Sequence, residues 1–331
     1  LSKFWKGRKV LVTGAGGFIG SHLVERLLDL EAEVAAFIHY NAAGSRGLLD
    51  QLGLQDQDRV RVVPGDLREA DCLEEAMHGQ QTVFHLAAII AIPYSYLRPE
   101  QVLENNLRST LNILQAARRF GIERLVHTSS SEVYGTAQRA PIDESHPLEA
   151  QSPYAASKIA CDKLVQSFHL SYGVPAVTLR PFNTYGPRQS ARAIVPTIIT
   201  QALTRKKVFL GAMHPTRDLN YVSDTVEGFL RIAQTPGIEG RTYHIGSGSE
   251  ISIGDLADRI VRLIGGEVPI IFDAGRIRPA TSEVGRLVCD STRAREDLGW
   301  VQSISLDEGL QQTIDWVGRN LAAYRPDIYS I

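Results

Sequence analysis

The stretch from Lys9 to Gly20, KVLVTGAGGFIG, decides how the rest of the chain is read. Lys9 to Thr13 is a short apolar run ending in a cluster of glycines, and Ser21 to Leu30 then repeats Leu23, Val24, Leu27 and Leu28 on one helical stripe. Strand, tight turn and helix follow. Gly14, Gly17 and Gly20 in that context point to a dinucleotide: a pyrophosphate must approach backbone where any Cβ would obstruct it, and the helix N-terminus supplies unpaired N–H groups and positive potential. The competing use of such glycines is tight strand-to-helix packing without a ligand.

The alternation continues outward. Strand-like runs at Glu33 to Ile38, Arg59 to Val63, Thr82 to Ala87, Arg124 to His127 and Ala176 to Leu179 are separated by helical patterns at Asp71 to Met77, Leu103 to Phe120 and Pro153 to Tyr172. Strands apolar on both faces, alternating with amphipathic helices, imply a parallel sheet covered on both sides. The expected class is α/β, a Rossmann-like doubly wound parallel sheet with a smaller C-terminal α/β lobe. Past residue 187 the pattern shortens to a helix at Ile194 to Leu203, a strand at Val208 to Leu210, and helices at Asp224 to Ile232, Ile253 to Ile264 and Ser305 to Trp316. Residues 1–187 read as the dinucleotide-binding domain with the catalytic residues. Residues 188–331 read as a lobe covering the crevice at the carboxyl ends of the strands, some late segments returning to the first domain.

Composition narrows the function classes. The chain has 331 residues, and 35 basic against 37 acidic side chains give a formal charge of −2, so bulk charge attracts neither nucleic acid nor an anionic membrane. Cys72, Cys161 and Cys289 are far apart and odd in number, which offers neither a disulfide framework nor a CxxC metal site, and the nine histidines include no HExxH pair. No apolar run reaches the roughly 20 residues of a membrane span, Val83 to Ile92 being cut by His85 and Pro93. A cytoplasmic, metal-free protein is the expectation.

A site strict for NAD usually carries Asp or Glu at the end of the second strand to hold the ribose 2′-hydroxyl. Here that strand runs Val34-Ala35-Ala36-Phe37-Ile38-His39-Tyr40-Asn41. A 2′-phosphate is therefore tolerated, with His39 or Arg46 to contact it, and the choice between NAD and NADP stays open. Asp66, after the third strand, is placed to meet the adenine edge.

Tyr154 and Lys158 lie four apart in a predicted helix, hence on one face. Ser129-Ser130-Ser131-Glu132 follows a predicted strand upstream, so hydroxyls and one carboxylate stand at a carboxyl end beside the same crevice. A phenol of pKa about 10 is a usable base near neutrality only when a cation stabilises the phenolate, and Lys158 is placed to be that cation. The plainer alternatives are a surface Tyr/Lys pair and a solvated strand-end carboxylate.

TGAGGFIG, HLAA at His85 to Ala88, SSSEVYG at Ser129 to Gly135, the Tyr154/Lys158 pair, RPFNTYGPRQ at Arg180 to Gln189 and PTRDLNYVSD at Pro215 to Asp224 together resemble the extended short-chain dehydrogenases/reductases that modify nucleotide sugars. The motifs stand in the family's order and span nearly the whole chain. Among these enzymes the sequence is most similar to nucleotide-hexose 4,6-dehydratases, particularly the branch acting on N-acetylglucosamine nucleotides in pathways of the legionaminic-acid type.

The resemblance implies a tightly bound NAD(P)+ recycled in each turnover, with Phe18, Ile19, Leu67, Leu86, Ala87, Ala88 and Pro181 joining the glycines, His39, Asp66, Tyr154 and Lys158 around it. It implies that Tyr154 takes the C4 hydroxyl proton, that Lys158 lowers the tyrosine pKa and holds the nicotinamide ribose, and that Ser130 bonds O4. Glu132 would then remove the C5 proton, water would leave C6 and the hydride would return there. Where the family's best-marked dehydratases carry an Asp acid, this chain has Ser131, a poor proton donor. Decarboxylation of UDP-glucuronate and C4 epimerisation, which share the first oxidation, therefore stay open.

For the substrate, Arg217 and Arg278 match family positions that bind the sugar-nucleotide diphosphate and Asn183 matches another, with Arg188, Tyr94 and Ser95 as further candidates. A homodimer is implied, the Tyr154 helix and the Leu103 to Phe120 helix packing into a four-helix bundle. The reading outside enzymes is a dinucleotide-sensing or scaffold protein that kept the fold and lost the chemistry, which the presence of Tyr154, Lys158, Ser130 and Glu132 argues against.

Overall fold

Side-chain alternation along each strand builds two separate cores. In the computed structural model, which describes residues 2–53, 56, 58–277 and 279–324, seven parallel strands form one sheet: β1 (Lys9–Thr13), β2 (Glu33–His39), β3 (Val60–Gly65), β4 (Thr82–His85), β5 (Arg124–Thr128), β6 (Ala176–Pro181) and β7 (Thr242–Ile245). Their spatial order is β7-β6-β5-β4-β1-β2-β3. Val10, Val12, Ala36, Phe84, Val126 and Val177 point to one face, and Leu11, Ala35, Phe37, Val83, Leu125 and Ala176 to the other. Helices α1 (Phe18–Asp29) and α4 (Val222–Gln234) cover the first face. The helix Ala70–Met77 with α2 (Pro99–Phe120) and α3 (Pro153–Tyr172) covers the second. This is the doubly wound sheet expected from the sequence.

The sequence expectations differ from the structure where polar residues interrupt the pattern. β4 ends at His85 rather than Ala87, because residues 86–88 leave the sheet to cross the end of β1. β7 was not expected at all. Its residues TYHI include Tyr243 and His244, yet both are fully buried, and His244 stands beside Arg180 of β6 in the parallel register. With α4, this strand carries part of the 188–331 stretch back onto the sheet. The rest of that stretch builds small pairings of its own, Ile270–Phe272 beside Val208–Leu210 and Thr216–Arg217 between Ile251–Ser252 and Arg286–Leu287.

Both ends of α3 are fixed by their own residues. Ser152 caps α3 by accepting from the Ala155 N–H at 3.1 Å, Pro153 fills the first turn, and Gly173 ends the helix at φ +68. α2 and α3 lie against each other through a buried polar seam, Asn106 Nδ2 to Ser157 Oγ at 2.9 Å and Thr110 Oγ1 to Cys161 Sγ at 3.3 Å. Among the described residues no helix is long and apolar enough to cross a membrane, and no cluster of three or more His, Cys, Asp or Glu is placed to hold a metal ion.

Leu11 is fully buried in the central strand. Leu11→Ala is expected to cost about 3 kcal/mol of stability, read as a lower urea midpoint with an unchanged slope; a loss under about 1 kcal/mol would contradict this account of the core.

Candidate active site

β1 and β4 are neighbours in the middle of the sheet, but the chain leaves β1 toward β2 on one side and leaves β4 toward β5 on the other. A crevice opens at their carboxyl ends. Gly14 leaves β1 at φ +68, and a Cβ there would stand 2.8 Å from the Ala87 backbone nitrogen. A Cβ on Gly20 would run into the Gly14 carbonyl. Gly17 stands at the N-cap of α1 without a side-chain cap, and Phe18 and Ile19 open the helix, so among the described residues no side chain caps the first-turn N–H groups. Leu86 and Ala87 bond back to Thr13 at 3.3 Å each, through its carbonyl and its hydroxyl, which places Leu86, Ala87 and Ala88 across the turn. Sequence spacing did not single out Gly16. A Cβ on it would stand 2.7 Å from the Arg46 carbonyl oxygen, because the loop after β2 folds over the turn and the Leu48 N–H bonds the Gly16 carbonyl at 2.9 Å.

At the far end of this crevice the acids are already paired. Arg68 grips Asp66 (Nη2 to Oδ2 2.6 Å, Nε to Oδ1 3.1 Å) and holds its carboxyl below the usual range, with exposed His39 at the end of β2 adding a smaller pull. Arg46 is turned onto Asp50, Nε to Oδ1 2.9 Å. Leu67 is buried, its carbonyl accepting from Asn112 Nδ2 at 2.9 Å, and Pro181 ends β6 half-buried.

The reactive groups meet at the ends of β5 and α3. Ser130 caps a single turn of 3₁₀ helix, Ser131–Tyr134, its Oγ accepting from the Glu132 N–H at 3.2 Å. Tyr154 and Lys158 stand one turn apart on α3 and both are buried. Burial pushes the Tyr154 phenol well above its ordinary pKa; a hydrogen bond with the Ser130 hydroxyl opposes that rise, and the nearby Glu132 carboxylate adds to it. The Lys158 ammonium donates to the Thr128 carbonyl at 2.7 Å, and burial pushes its pKa down. Its remaining N–H groups make no bond among the described residues. Ser131 turns into the protein and is buried, while Ser130 and Glu132 beside it stay partly open.

The expected substrate residues divide. Asn183 keeps a buried Oδ1 with no partner among the described residues. Arg217 is buried, bonding the Thr216 carbonyl at 2.9 Å and Glu283 at 3.3 Å. Tyr94 is partly open at the start of the helix Ile92–Leu97, its hydroxyl donating to Gln101 at 2.5 Å. Ser95 is a correction: it is fully buried and its hydroxyl bonds the Ile92 carbonyl at 2.7 Å, so it faces the helix rather than the crevice. Arg188 is another, since its guanidinium pairs with Glu25 of α1 at 2.8 Å instead of standing free in the C-terminal lobe. Arg278 lies outside the described residues.

Comparison with known proteins matches this arrangement. The family model described as GDP-mannose 4,6 dehydratase matches residues 11–313. A dTDP-glucose 4,6-dehydratase of Mycolicibacterium smegmatis is 34% identical over 326 residues, covering 96% of this chain and 96% of its own. A UDP-glucose 4-epimerase of the same organism is 33% identical over 314 residues, covering 93% of this chain and 98% of its own. The crystal structure of DesIV, a dTDP-glucose 4,6-dehydratase from Streptomyces venezuelae with NAD bound, superposes with a TM-score of 0.87 at 30% identity, over 96% of this chain and 99% of that one. With its glycine turn, its Tyr154/Lys158 pair and its seven-stranded sheet, the chain belongs to the GDP-mannose 4,6-dehydratase family of extended short-chain dehydrogenases/reductases.

Proposed function

We propose that the chain is a nucleotide-sugar 4,6-dehydratase that works on an N-acetylhexosamine nucleotide with bound NAD(P)+. Glu132 carries this reading. A carboxylate beside Tyr154 raises the cost of forming phenolate, which hinders the oxidation at C4. C4 epimerisation has no use for such a group, whereas elimination needs a base at C5.

The residues present fit a dinucleotide: the uncapped N-terminus of α1, the approach that Gly14 alone permits, and the unspent N–H groups of Lys158. When bound, NAD(P)+ supplies a hydride acceptor for C4 that later returns the hydride to C6. Tyr154 takes the C4 hydroxyl proton, with Ser130 bonding the same oxygen and Lys158 supplying positive charge nearby. The C4 ketone acidifies C5, and Glu132 takes the C5 proton. Ser131 being buried, Glu132 is the carboxylic acid at hand for C6, and its proton leaves with the C6 hydroxyl as water. C5 is reprotonated from solvent and Tyr154 gives up its proton, leaving a 4-keto-6-deoxy sugar. Arg217 and Asn183 hold the diphosphate end. The partly open Ile89 and Ala91 and the exposed Ile90 between them suit the methyl of a C2 acetamido group.

Residues 1–187 with α4 and β7 hold the dinucleotide in this reading, and the remainder of 188–331 holds the nucleotide sugar. The exposed Leu103, Leu170 and Tyr172 on the paired helices α2 and α3 support a homodimer through those helices.

The deciding experiment incubates purified protein with UDP-, GDP-, CDP- and dTDP-hexoses, N-acetylhexosamines and UDP-glucuronate, with no cofactor added, and weighs the products. Loss of water from an N-acetylhexosamine nucleotide is expected; loss of carbon dioxide from UDP-glucuronate would make the chain a decarboxylase. Tyr154→Phe is expected to lower turnover about a thousandfold with nucleotide-sugar affinity kept, and undiminished turnover would remove Tyr154 from the chemistry. Glu132→Gln should still reduce the cofactor but release no water, and wild-type elimination in that variant would assign the C5 base elsewhere.

A further inference from the structure

Arg180 is buried on β6 and divides its guanidinium between two partners. Nε and Nη2 donate to Asp162 Oδ2 at 3.0 and 2.8 Å, and Nη1 donates to the Tyr134 hydroxyl. Asp162 lies one turn beyond Lys158 on α3, and the same Oδ2 accepts from Ser129 Oγ at 2.9 Å. Tyr134 closes the 3₁₀ turn that carries Glu132. Its hydroxyl stands 2.6 Å from His244 Nε2 of β7, and His244 Nδ1 stands 3.2 Å from the Ile142 carbonyl. Burial pushes the Tyr134 phenol up to about 12 and the His244 imidazole down to about 3. The line therefore runs one way: Arg180 donates to Tyr134, Tyr134 to neutral His244, and His244 to Ile142. It holds shape and does not move protons.

The Glu132 side chain makes no hydrogen bond among the described residues, so its place follows from the turn alone. One end of that turn is fixed by Ser130, the other by Tyr134. A planar guanidinium with its donors in a rigid fork fixes the direction of both partners at once, which an ammonium does not.

We propose that Arg180, acting through Tyr134 and Asp162, is the positioning residue that sets Glu132 against Tyr154, so that the carboxylate meets C5 of the sugar whose C4 oxygen meets the phenol. The assignment rests on the dehydratase reading. It joins the oxidation half of the site, on α3, to the elimination half, on the 3₁₀ turn, through one side chain that touches neither substrate nor cofactor.

Tyr134→Phe removes the hydroxyl and keeps the ring. In the full-length protein with its dinucleotide bound, stopped-flow absorbance reads the rate of cofactor reduction, and mass spectrometry in D₂O reads deuterium entry at C5 and loss of water. Reduction is expected within about twofold of wild type, with C5 exchange and water loss slowed about a hundredfold, the scale of a misplaced reacting group. Arg180→Lys, which keeps a cation for Asp162 but cannot serve both partners, should give the same split and carries the test if Tyr134→Phe does not fold. Equal losses in both steps, or no loss in either, would overturn the assignment. A wild-type protein that reduces its cofactor but never exchanges C5 overturns the dehydratase reading and this assignment with it, a result visible before any variant is made.

Discussion

The close approach of the β1–α1 turn to the chain leaving β4 governs the rest of the structure. Gly14 meets the Ala87 backbone at a distance that no side chain tolerates, and Thr13 holds residues 86 and 87 with its carbonyl and hydroxyl. The crevice exists because two neighbouring parallel strands send their chains apart at this point. The glycines let its floor come within reach of a ligand, and the residues that follow β5 and open α3 then have only one place to converge.

Beneath that convergence lies a layer of polar groups with little access to water. Thr13, His85 and His127 stand side by side in the register of β1, β4 and β5, His85 bonding Thr13 at 2.9 Å. Burial pushes both histidines down, so they act as neutral spacers. The charge in this layer is carried by the Lys158 ammonium and by the Asp162–Arg180 pair. Removing one partner of such a pair leaves a stranded charge, at a cost of about 3–5 kcal/mol, which ties the integrity of the site to the stability of the fold.

Elements whose apolar period is uninterrupted were legible in the sequence to the residue: β1, the strand Val208–Leu210 and the helix Ile253–Ile264. The glycine turn and the Tyr154/Lys158 face were legible because their spacing is local. β7 was not, since Tyr243 and His244 look polar until Asp297, Tyr134 and Ile142, far away in sequence, supply their partners. Ser95 and Arg188 were misjudged for a related reason: sequence gives a side chain's donors but not the direction in which packing turns them. Arg68 was overlooked although it stands only two residues after Asp66, whereas Gly16 was not legible because the loop that crowds it, at Arg46 and Gly47, is far away in sequence.

Arg188 stands where the chain passes from the sheet into the covering lobe, with a left-handed backbone, φ +67, that glycine would adopt at less cost. The residue found there instead reaches back to Glu25 on the helix that opens the glycine turn. Backbone ease has been given up for an anchor. The segment that enters the smaller lobe is thereby tied to α1 by an ion pair, beside the 2.9 Å contact of His22 Nε2 with the Pro187 carbonyl, so the connection between the two parts is held to the sheet's first helix rather than left slack.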